Sequence, residues 1–550
     1  MKHTFTLGLL LVMSTAALAD ERPNILLLMA EDLSPRIGAF GDKVAVTPNI
    51  DKLAQQGVRY TNAFTAAGVC APSRASIITG MHQESIGAQH MRASNYKQGK
   101  YYTVPPKDMK AFPELLRAQG YFTYNSTKLD YQFSSVFPGS GPFTMWDSDT
   151  KKEIDFDDIP DDQPFFGYLN FLGTHESGLF PRYAFPTNLF HLRGQLKQIS
   201  IHWNTQDQVL AADVEVPPYY PDTPVVRKDI ARQYNNLITV DRQVGEVLEK
   251  LEASGRADNT IVIWTTDHGD GLPRAKRELY DSGLKVPMII RWPEKFRPAD
   301  VKPGSLDARM ISFVDLAPTI LSLASVPLPS FLHGRAFAGA EKLGSREYIY
   351  AARDRIGPLS DRQRAVRDKR FKYIRSYNQQ PGGFHLRYRD NLDIMQELWR
   401  MLAAGELNAV QRQWFSPRPE EMLFDTQNDP HEINNLAEVP EYLDELERLR
   451  GAHTAHRTRV LDLSDKSEAY MAARFWPDGV EPITAIPNLQ VEGSTLTVTC
   501  SSEGASIGYR LNGSRWHLYT NPLSLLVGDK VQVKAVRYGW AESEITKFNF

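Results

Sequence analysis

The sequence predicts an α/β protein built on a doubly wound sheet with right-handed crossovers, followed by a small all-β module. Three observations predict it. Continuous apolar runs of strand length occur at Asn24–Ala30, Phe165–Phe171 and Thr260–Thr266. Helical patterns with one apolar face alternate with these runs. From about residue 487 the pattern changes to short alternating strands, a module of about 60 residues.

Each element has its own reason. Asn24–Ala30 (NILLLMA) is apolar without alternation, the signature of a parallel strand buried on both faces, and it ends in Glu31-Asp32. Thr47-Pro48 supplies a cap and a first-turn proline, Ile50, Leu53 and Ala54 form an apolar face, and Gly57 closes that helix. Phe165–Phe171 (FFGYLNF) runs into Gly173-Thr174-His175. A long helix is predicted over about 227–254, with Ile230, Tyr234, Leu237, Val244, Val247, Leu248 and Leu251 at helical spacing before Gly255. Thr260–Thr266 (TIVIWTT) ends in Asp267-His268-Gly269. In the tail, predicted strands at 495–500, 506–509, 531–536 and 546–550 are separated by Gly493-Ser494, Asn512-Gly513 and Gly528-Asp529. Trp476-Pro477-Asp478-Gly479, with Pro482 and Pro487, reads as a linker.

Composition narrows the function classes. The 550 residues carry 63 Lys+Arg against 66 Asp+Glu, a net charge of −3, so the basic excess of a nucleic-acid binder is missing. A hydrophobic content of 42% with 11% aromatic residues excludes a disordered chain. The length suggests roughly two to four structural units. Two cysteines, Cys70 and Cys500, exclude a disulfide scaffold, a cysteine zinc finger and an iron–sulfur cluster. Met1-Lys2-His3, an apolar run over 5–18, and Ala17-Leu18-Ala19 before Asp20 read as a secretory signal peptide, residues 1–19. The run is too short, and too broken by Ser14-Thr15, to span a bilayer, and no later segment is long enough. The expectation is an exported chain, periplasmic or extracellular, with no membrane span.

Open α/β sheets bind ligands at the carboxyl ends of their strands. Glu31, Asp32, His175, Asp267 and His268 all fall there, an oxygen-rich set suited to calcium or magnesium, with zinc fitting less well. The segment Cys70-Ala71-Pro72-Ser73-Arg74-Ala75-Ser76-Ile77-Ile78-Thr79-Gly80 places Cys70 at a helix N-terminus, where N–H groups favour an anion and Arg74 adds a charged contact. A lone cysteine also reads as a small buried hydrophobe, and Cys500 is read that way.

Cys70-Ala-Pro-Ser-Arg followed by Thr79-Gly80 resembles the signature of the type I sulfatases of the alkaline phosphatase superfamily, whose cysteine is oxidised to formylglycine. Arg22-Pro-Asn-Ile, Thr47-Pro-Asn-Ile-Asp, Asn62-Ala-Phe, Gly120-Tyr, Thr266-Asp-His-Gly, Val286-Pro and Leu423-Phe-Asp with Asp429-Pro-His-Glu-Ile-Asn-Asn-Leu-Ala resemble the same family. The likeness covers roughly 20–460. It implies an alkaline-phosphatase-like mixed sheet over 20–345, a smaller α+β subdomain over 346–465, a linker at 466–486 and the β-sandwich at 487–550.

The resemblance also implies roles. Glu31, Asp32, Asp267 and His268 would bind calcium together with the hydrated aldehyde made from Cys70. One hydroxyl of that hydrate would attack sulfur, expel the alcohol or amine and leave a sulfated enzyme; the second would then lose its proton as sulfate is eliminated. Lys128 and Lys276 would clamp sulfate with Arg74, and His175 would protonate the leaving group. A sulfatase-maturing enzyme becomes an expected partner. Two positions depart from many relatives, which have Asp-Asp at Glu31-Asp32 and Lys-x-His at Lys128-Leu129-Asp130; Asp130 when ionised accepts a proton and cannot donate one. The regions around Gly173-Thr-His-Glu, the run from Val216 to Thr223 and Ala231-Arg-Gln-Tyr resemble the branch of heparan N-sulfatase and bacterial polysaccharide sulfatases, which implies a sulfated carbohydrate, as ester or sulfamate. His90, Arg92, Arg353 and Arg355 are read as contacts to sulfate or uronate groups, with surface salt bridges as the equal alternative. The tail resembles the chitobiase and hexosaminidase C-terminal sandwich, with Trp516, Tyr519 and Trp540 as stacking or core residues. Two alternatives stand beside this reading, a phosphohydrolase of the same superfamily and a carbohydrate-binding protein in which Cys70 stays unconverted.

Overall fold

A computed structural model describes residues 22–152, 155–181, 185–186 and 188–550, so the expected signal segment 1–19 lies outside the described residues. Eight strands form the main sheet: β1 (Asn24–Ala30), β2 (Val58–Phe64), β3 (Phe122–Ser126), β4 (Ser148–Thr150), β5 (Phe165–Phe171), β6 (Thr260–Thr266), β7 (Lys285–Arg291) and β8 (Leu306–Ser312). Five helices matter most for the site and its support: α1 (Pro48–Gln56), α2 (Cys70–Thr79), α3 (Phe112–Ala118), α4 (Leu189–Ile201) and α5 (Pro224–Ala253).

The unbroken apolar character of β1 follows from two cores meeting on it. Ile25, Leu27 and Met29 share one core with Ile77 and Ile78 of α2, Leu116 of α3 and the helix Leu316–Leu323. Leu26, Leu28 and Ala30 share the other with Ile50 and Leu53 of α1 and Leu237, Val240 and Val244 of α5. Each aliphatic side chain of leucine or isoleucine size so buried contributes about 1.5–3 kcal/mol, which fixes the strand's depth in the molecule.

Sheet order is β4-β3-β5-β1-β6-β7-β2-β8. β1 runs parallel to β5 and β6, with Ile25 opposite both Phe166 and Ile261, and β3 runs parallel to β5. β7 is antiparallel to β6 and β2, so the sheet is mixed as well as doubly wound. The parallel block β3-β5-β1-β6 brings four carboxyl ends to one edge, and the site is built there. A second, antiparallel sheet of Ile349–Arg353, Gln363–Arg367, Phe371–Ser376 and Glu421–Asp425 packs on the helix Leu443–Val460 through Tyr373, Leu423, Leu446 and Leu449.

The stretch 466–486, expected as a linker, carries the helix Glu468–Phe475. Met471 and Phe475, four residues apart, are buried with Tyr101 and Trp476, and Glu468 pairs with Arg355 at 2.5 Å. The proline and glycine signal just beyond it hides this short amphipathic turn in the sequence.

The tail is a sandwich of two antiparallel sheets around Leu496, Val498, Leu525, Val531 and Val533. It is docked on α3. Glu114, 4% exposed, accepts hydrogen bonds from Ser506 Oγ at 2.5 Å and from the Tyr538 hydroxyl at 2.8 Å, both in the module, and from Thr144. Arg117 donates to the Trp516 carbonyl. At Gly539, with φ +84°, a Cβ would sit 2.2 Å from the Thr103 carbonyl oxygen, so only glycine permits this approach. Trp516 packs edge-on to Phe143 with ring centroids 5.4 Å apart, and the Tyr519 hydroxyl accepts from the Val498 N–H at 3.0 Å. Trp540 lies with Pro105, Pro106 and Pro482 in a cavity between module and main domain. Both cysteines are unpaired; Cys500, expected to be buried, is half-buried, its thiol 3.3 Å from the Ala485 carbonyl.

Replacing Glu114 by Ala strips the Ser506 and Tyr538 hydroxyls of their shared acceptor, and the expected loss of stability is roughly 2–4 kcal/mol by thermal or urea unfolding. An unchanged midpoint would show that the module is not coupled to α3.

Candidate active site

Glu31 and Asp32 follow β1, Asp267 and His268 follow β6, Asn170 and His175 come from the end of β5, and Lys128 and Asp130 follow β3. Asp32 has φ +49°, in the left-handed region that aspartate tolerates better than most side chains, and its N–H reaches Asp267 Oδ1 at 3.2 Å. Gly269 closes the β6 turn where a Cβ would lie 1.9 Å from the Ser282 carbonyl oxygen. Cys70 is the first residue of α2 and is fully buried.

Arg74, four residues along α2 and fully buried, ties these ends together. Its Nε lies 3.1 Å from Asp267 Oδ2, Nη2 is 3.0 Å from Glu31 Oε1, and Nη1 is 2.7 Å from Asn170 Oδ1. The sequence reading put Arg74 on the bound anion; the structure commits its guanidinium to holding carboxylates of β1 and β6 in place.

Ligand atoms of Asp32, Cys70, Asp267 and His268 all lie within 4.8 Å of one another. His268 Nε2 is 3.0 Å from Asp32 Oδ1, 3.6 Å from Asp267 Oδ1 and 3.4 Å from Cys70 Sγ. Its Nδ1 lies 2.9 Å from the Gly269 carbonyl, which only accepts, so Nδ1 carries a proton and Nε2 faces the carboxylates, the orientation of a metal-ligating histidine. Burial opposes a charge on this imidazole, but Asp267 and Asp32 raise its pKa to about 10. The pocket thus demands positive charge. Glu31 Oε2 is buried without a hydrogen-bond partner among the described residues, and Asp32 Oδ1 faces only the His268 imidazole, as ligand oxygens turned toward a cation would be.

Glu31 sits beside this group. Its Oε1 is held by Lys128 at 2.6 Å and by Arg74, while Oε2 is 3.8 Å from His175 Nε2. Burial raises its pKa, yet Lys128 and Arg74 outweigh burial and bring it down to about 2. Lys276 contacts Asp32 and lies 3.5 Å from Cys70 Sγ. Burial would raise the Cys70 thiol as well; Lys128 and Lys276 reverse this and hold it well below the usual thiol range. His175 Nδ1 accepts the Ser177 N–H at 3.2 Å, so in the neutral ring Nε2 carries the proton and is a donor. Asp130 grips Arg92 through two bonds of 2.6 and 2.8 Å; burial raises its carboxyl, and Arg92 outweighs burial and depresses it well below the carboxylate range.

A cavity of ≈ 500 Å³ opens over this floor, and Glu31, Lys128, His175 and Lys276 line it. Of the four expected substrate contacts only Arg92 reaches it. Arg353 is buried between Glu278 and Asp361, each at 2.8 Å. His90 receives the Arg355 N–H on Nδ1 at 3.3 Å, Arg355 is engaged by Glu468, and both line a neighbouring cavity. These arginines look available in sequence because Glu278 and Glu468 lie far away along the chain and only the fold turns Asp361 back onto Arg353.

Sequence reasoning missed Asn170, the Glu176–Arg277 pair at 2.6 and 2.7 Å, Tyr388, and Arg193 and Lys197. Asn170 had a signal, an amide inside the apolar run of β5. Arg193 and Lys197 had another, two cations four residues apart on one face of α4, and both line the cavity.

Residues 23–326 match the protein-family model described as Sulfatase, and residues 274–390 match the one described as N-sulphoglucosamine sulphohydrolase, C-terminal. An ulvan-active sulfatase of Formosa agariphila is 40% identical over 95% of this chain and 91% of that protein. The human N-sulphoglucosamine sulphohydrolase is 29% identical over 80% of this chain and 91% of its own length. Among solved structures, a protein in complex with its substrate D-glucosamine-2-N,6-O-disulfate shares the fold with a TM-score of 0.54 at 19% identity, covering 80% of this chain and 99% of that one.

Because Arg74 neutralises two buried carboxylates, Arg74→Ala is expected to cost roughly 3–5 kcal/mol of stability by urea unfolding, with Arg74→Lys restoring only part of it. A stability loss below about 1 kcal/mol would contradict the role given to this guanidinium.

Proposed function

The chain belongs to the sulfatase family, and on that premise we propose that it is a calcium-dependent hydrolase removing sulfate from an anionic carbohydrate, with Cys70 working as formylglycine. The observation that carries the reading is the placement of Cys70 Sγ, 3.4 Å from His268 and 3.5 Å from Lys276, beside a buried carboxylate cradle that Glu31, Lys128 and Lys276 connect to a cation-lined cavity.

Asp32, Asp267, His268 and the side chain at position 70 are the proposed metal ligands, with Glu31 alongside. A divalent cation there supplies Lewis acidity and lowers the pKa of an oxygen nucleophile. Formylglycine supplies that oxygen, which a thiol lacks. The chain's own residues do the rest. Lys128 and Lys276, kept charged by their acidic neighbours, hold sulfate oxygens against the reactive end of α2. His175 offers its Nε2 proton to the departing oxygen or nitrogen. Arg74 and Asn170 keep the carboxylates in register. Asp130, locked to Arg92, positions that guanidinium toward the substrate.

Beyond the reactive centre, Arg92, Arg193 and Lys197 give the cavity wall a positive surface suited to a second sulfate or a uronate on the same glycan. The 40% identical relative is described as acting on ulvan and the structural neighbour binds a disulfated glucosamine, and both support a sulfated sugar. We place the catalytic unit at 20–345, its C-terminal subdomain at 346–465 and the accessory sandwich at 487–550, and take the protein to act outside the cytoplasm; no helix among the described residues is long and apolar enough to cross a membrane.

Incubation with a panel of sulfated oligosaccharides and matched aryl sulfate and phosphate esters is expected to release sulfate from sugars and little phosphate. Faster phosphate release would favour the phosphohydrolase reading, and no release with tight glycan binding would favour a binding protein. The double variant Arg193→Ala/Lys197→Ala is expected to raise KM for a multiply charged oligosaccharide by about tenfold, with a smaller effect on an aryl sulfate. Metal must displace the proton that His268 holds below about pH 10. Its apparent affinity is therefore expected to rise by about tenfold per pH unit from pH 6 to 8, with about one proton released per ion, measurable by calorimetry in two buffers. A pH-independent affinity would remove His268 from the ligand set.

A further inference from the structure

We propose that His82, Glu84 and His456 form a second metal site, of zinc type, which clips the segment after α2 to the helix Leu443–Val460. All three side chains are buried, at 1%, 2% and 5% exposure. One ligand atom from each lies within 4.8 Å of the others, with Glu84 Oε1 3.5 Å from His456 Nε2 and 3.9 Å from His82 Nδ1. In a tetrahedral centre with bonds of about 2.0–2.1 Å, donor atoms stand about 3.3 Å apart. Movements below an ångström would therefore close the site.

Unpaired polar atoms crowd this cluster. Both ring nitrogens of His82, Glu84 Oε2 and His456 Nε2 have no hydrogen-bond partner among the described residues. Buried polar atoms left so are costly, and one cation satisfies several together. The rings are already set: His82 meets His456 edge-on with centroids 4.5 Å apart, and Tyr350 stacks on His456 at 3.7 Å and 3°. Two imidazoles with one carboxylate select zinc over calcium, leaving a fourth position for water. Nearby cations are already compensated, Arg346 by Asp315 and Arg364 by Asp354 and Asp462; Arg459, exposed, donates to His456 Nδ1 at 3.2 Å, and metal binding through Nε2 requires that side chain to turn out to solvent so that Nδ1 takes the ring proton. None of the three proposed ligands lines the active-site cavity. The site is thus a structural clip between the α/β domain and the C-terminal subdomain.

The test is a zinc count on the full-length chain, stripped with chelator and titrated with zinc chloride, for the wild type, Glu84→Gln and His456→Gln. The wild type is expected to bind one equivalent more than either variant, and zinc is expected to raise its unfolding temperature more than theirs. Equal counts in wild type and the Glu84→Gln variant, whose shape is conserved, would overturn the proposal whatever the fate of His456→Gln. Because only the difference is read, zinc entering the catalytic cradle does not mimic the result.

Discussion

One buried guanidinium organises this protein. Arg74 sits where no water reaches it and bonds to Glu31 after β1, Asp267 after β6 and Asn170 on β5, so three neighbouring strand ends are tied through one side chain of the helix that carries Cys70. Burying three charges together is unfavourable unless the geometry is close to ideal, and the depth of β1 in two apolar cores supplies the rigidity that makes it so. The fold therefore fixes the site, and the site in turn sets the register of helix on sheet.

The remaining electrostatics follow from that knot. Two carboxylates, Asp32 and Asp267, face His268 and the side chain at position 70, and the pocket's demand for positive charge is legible in the raised imidazole. On the cavity side, Lys128 and Lys276 reverse the polarity, so carboxylates below and ammonium groups above lie within one short span.

Much of this was legible in the sequence, and the exceptions share a cause. The runs of β1, β5 and β6 announce themselves because a strand buried on both faces must be apolar throughout, and the acidic residues ending two of them stand out against that background. The Cys70 segment is legible because a first-turn proline and a charged residue one turn on constrain a helix N-terminus. Arg353 and Arg355 were misread because Glu278 and Glu468 come from distant segments and Asp361 is turned back onto Arg353 by the loop before Gln363–Arg367, pairings that no local pattern marks. The Glu468–Phe475 helix was hidden by adjacent proline and glycine, and the reversed β7 leaves no trace in its own composition. Asn170 was visible and passed over, since a single amide in an apolar run signals a buried polar group that needs a partner.

The central claim is that the residue encoded as Cys70 works as an aldehyde rather than a thiol. Mass analysis of the peptide spanning Cys70, set against sulfate release from the same preparation, tests it most directly. The expected peptide is one in which the thiol-bearing carbon has become an aldehyde, with turnover proportional to the converted fraction. Sulfate release undiminished in protein whose residue 70 is wholly thiol would contradict it.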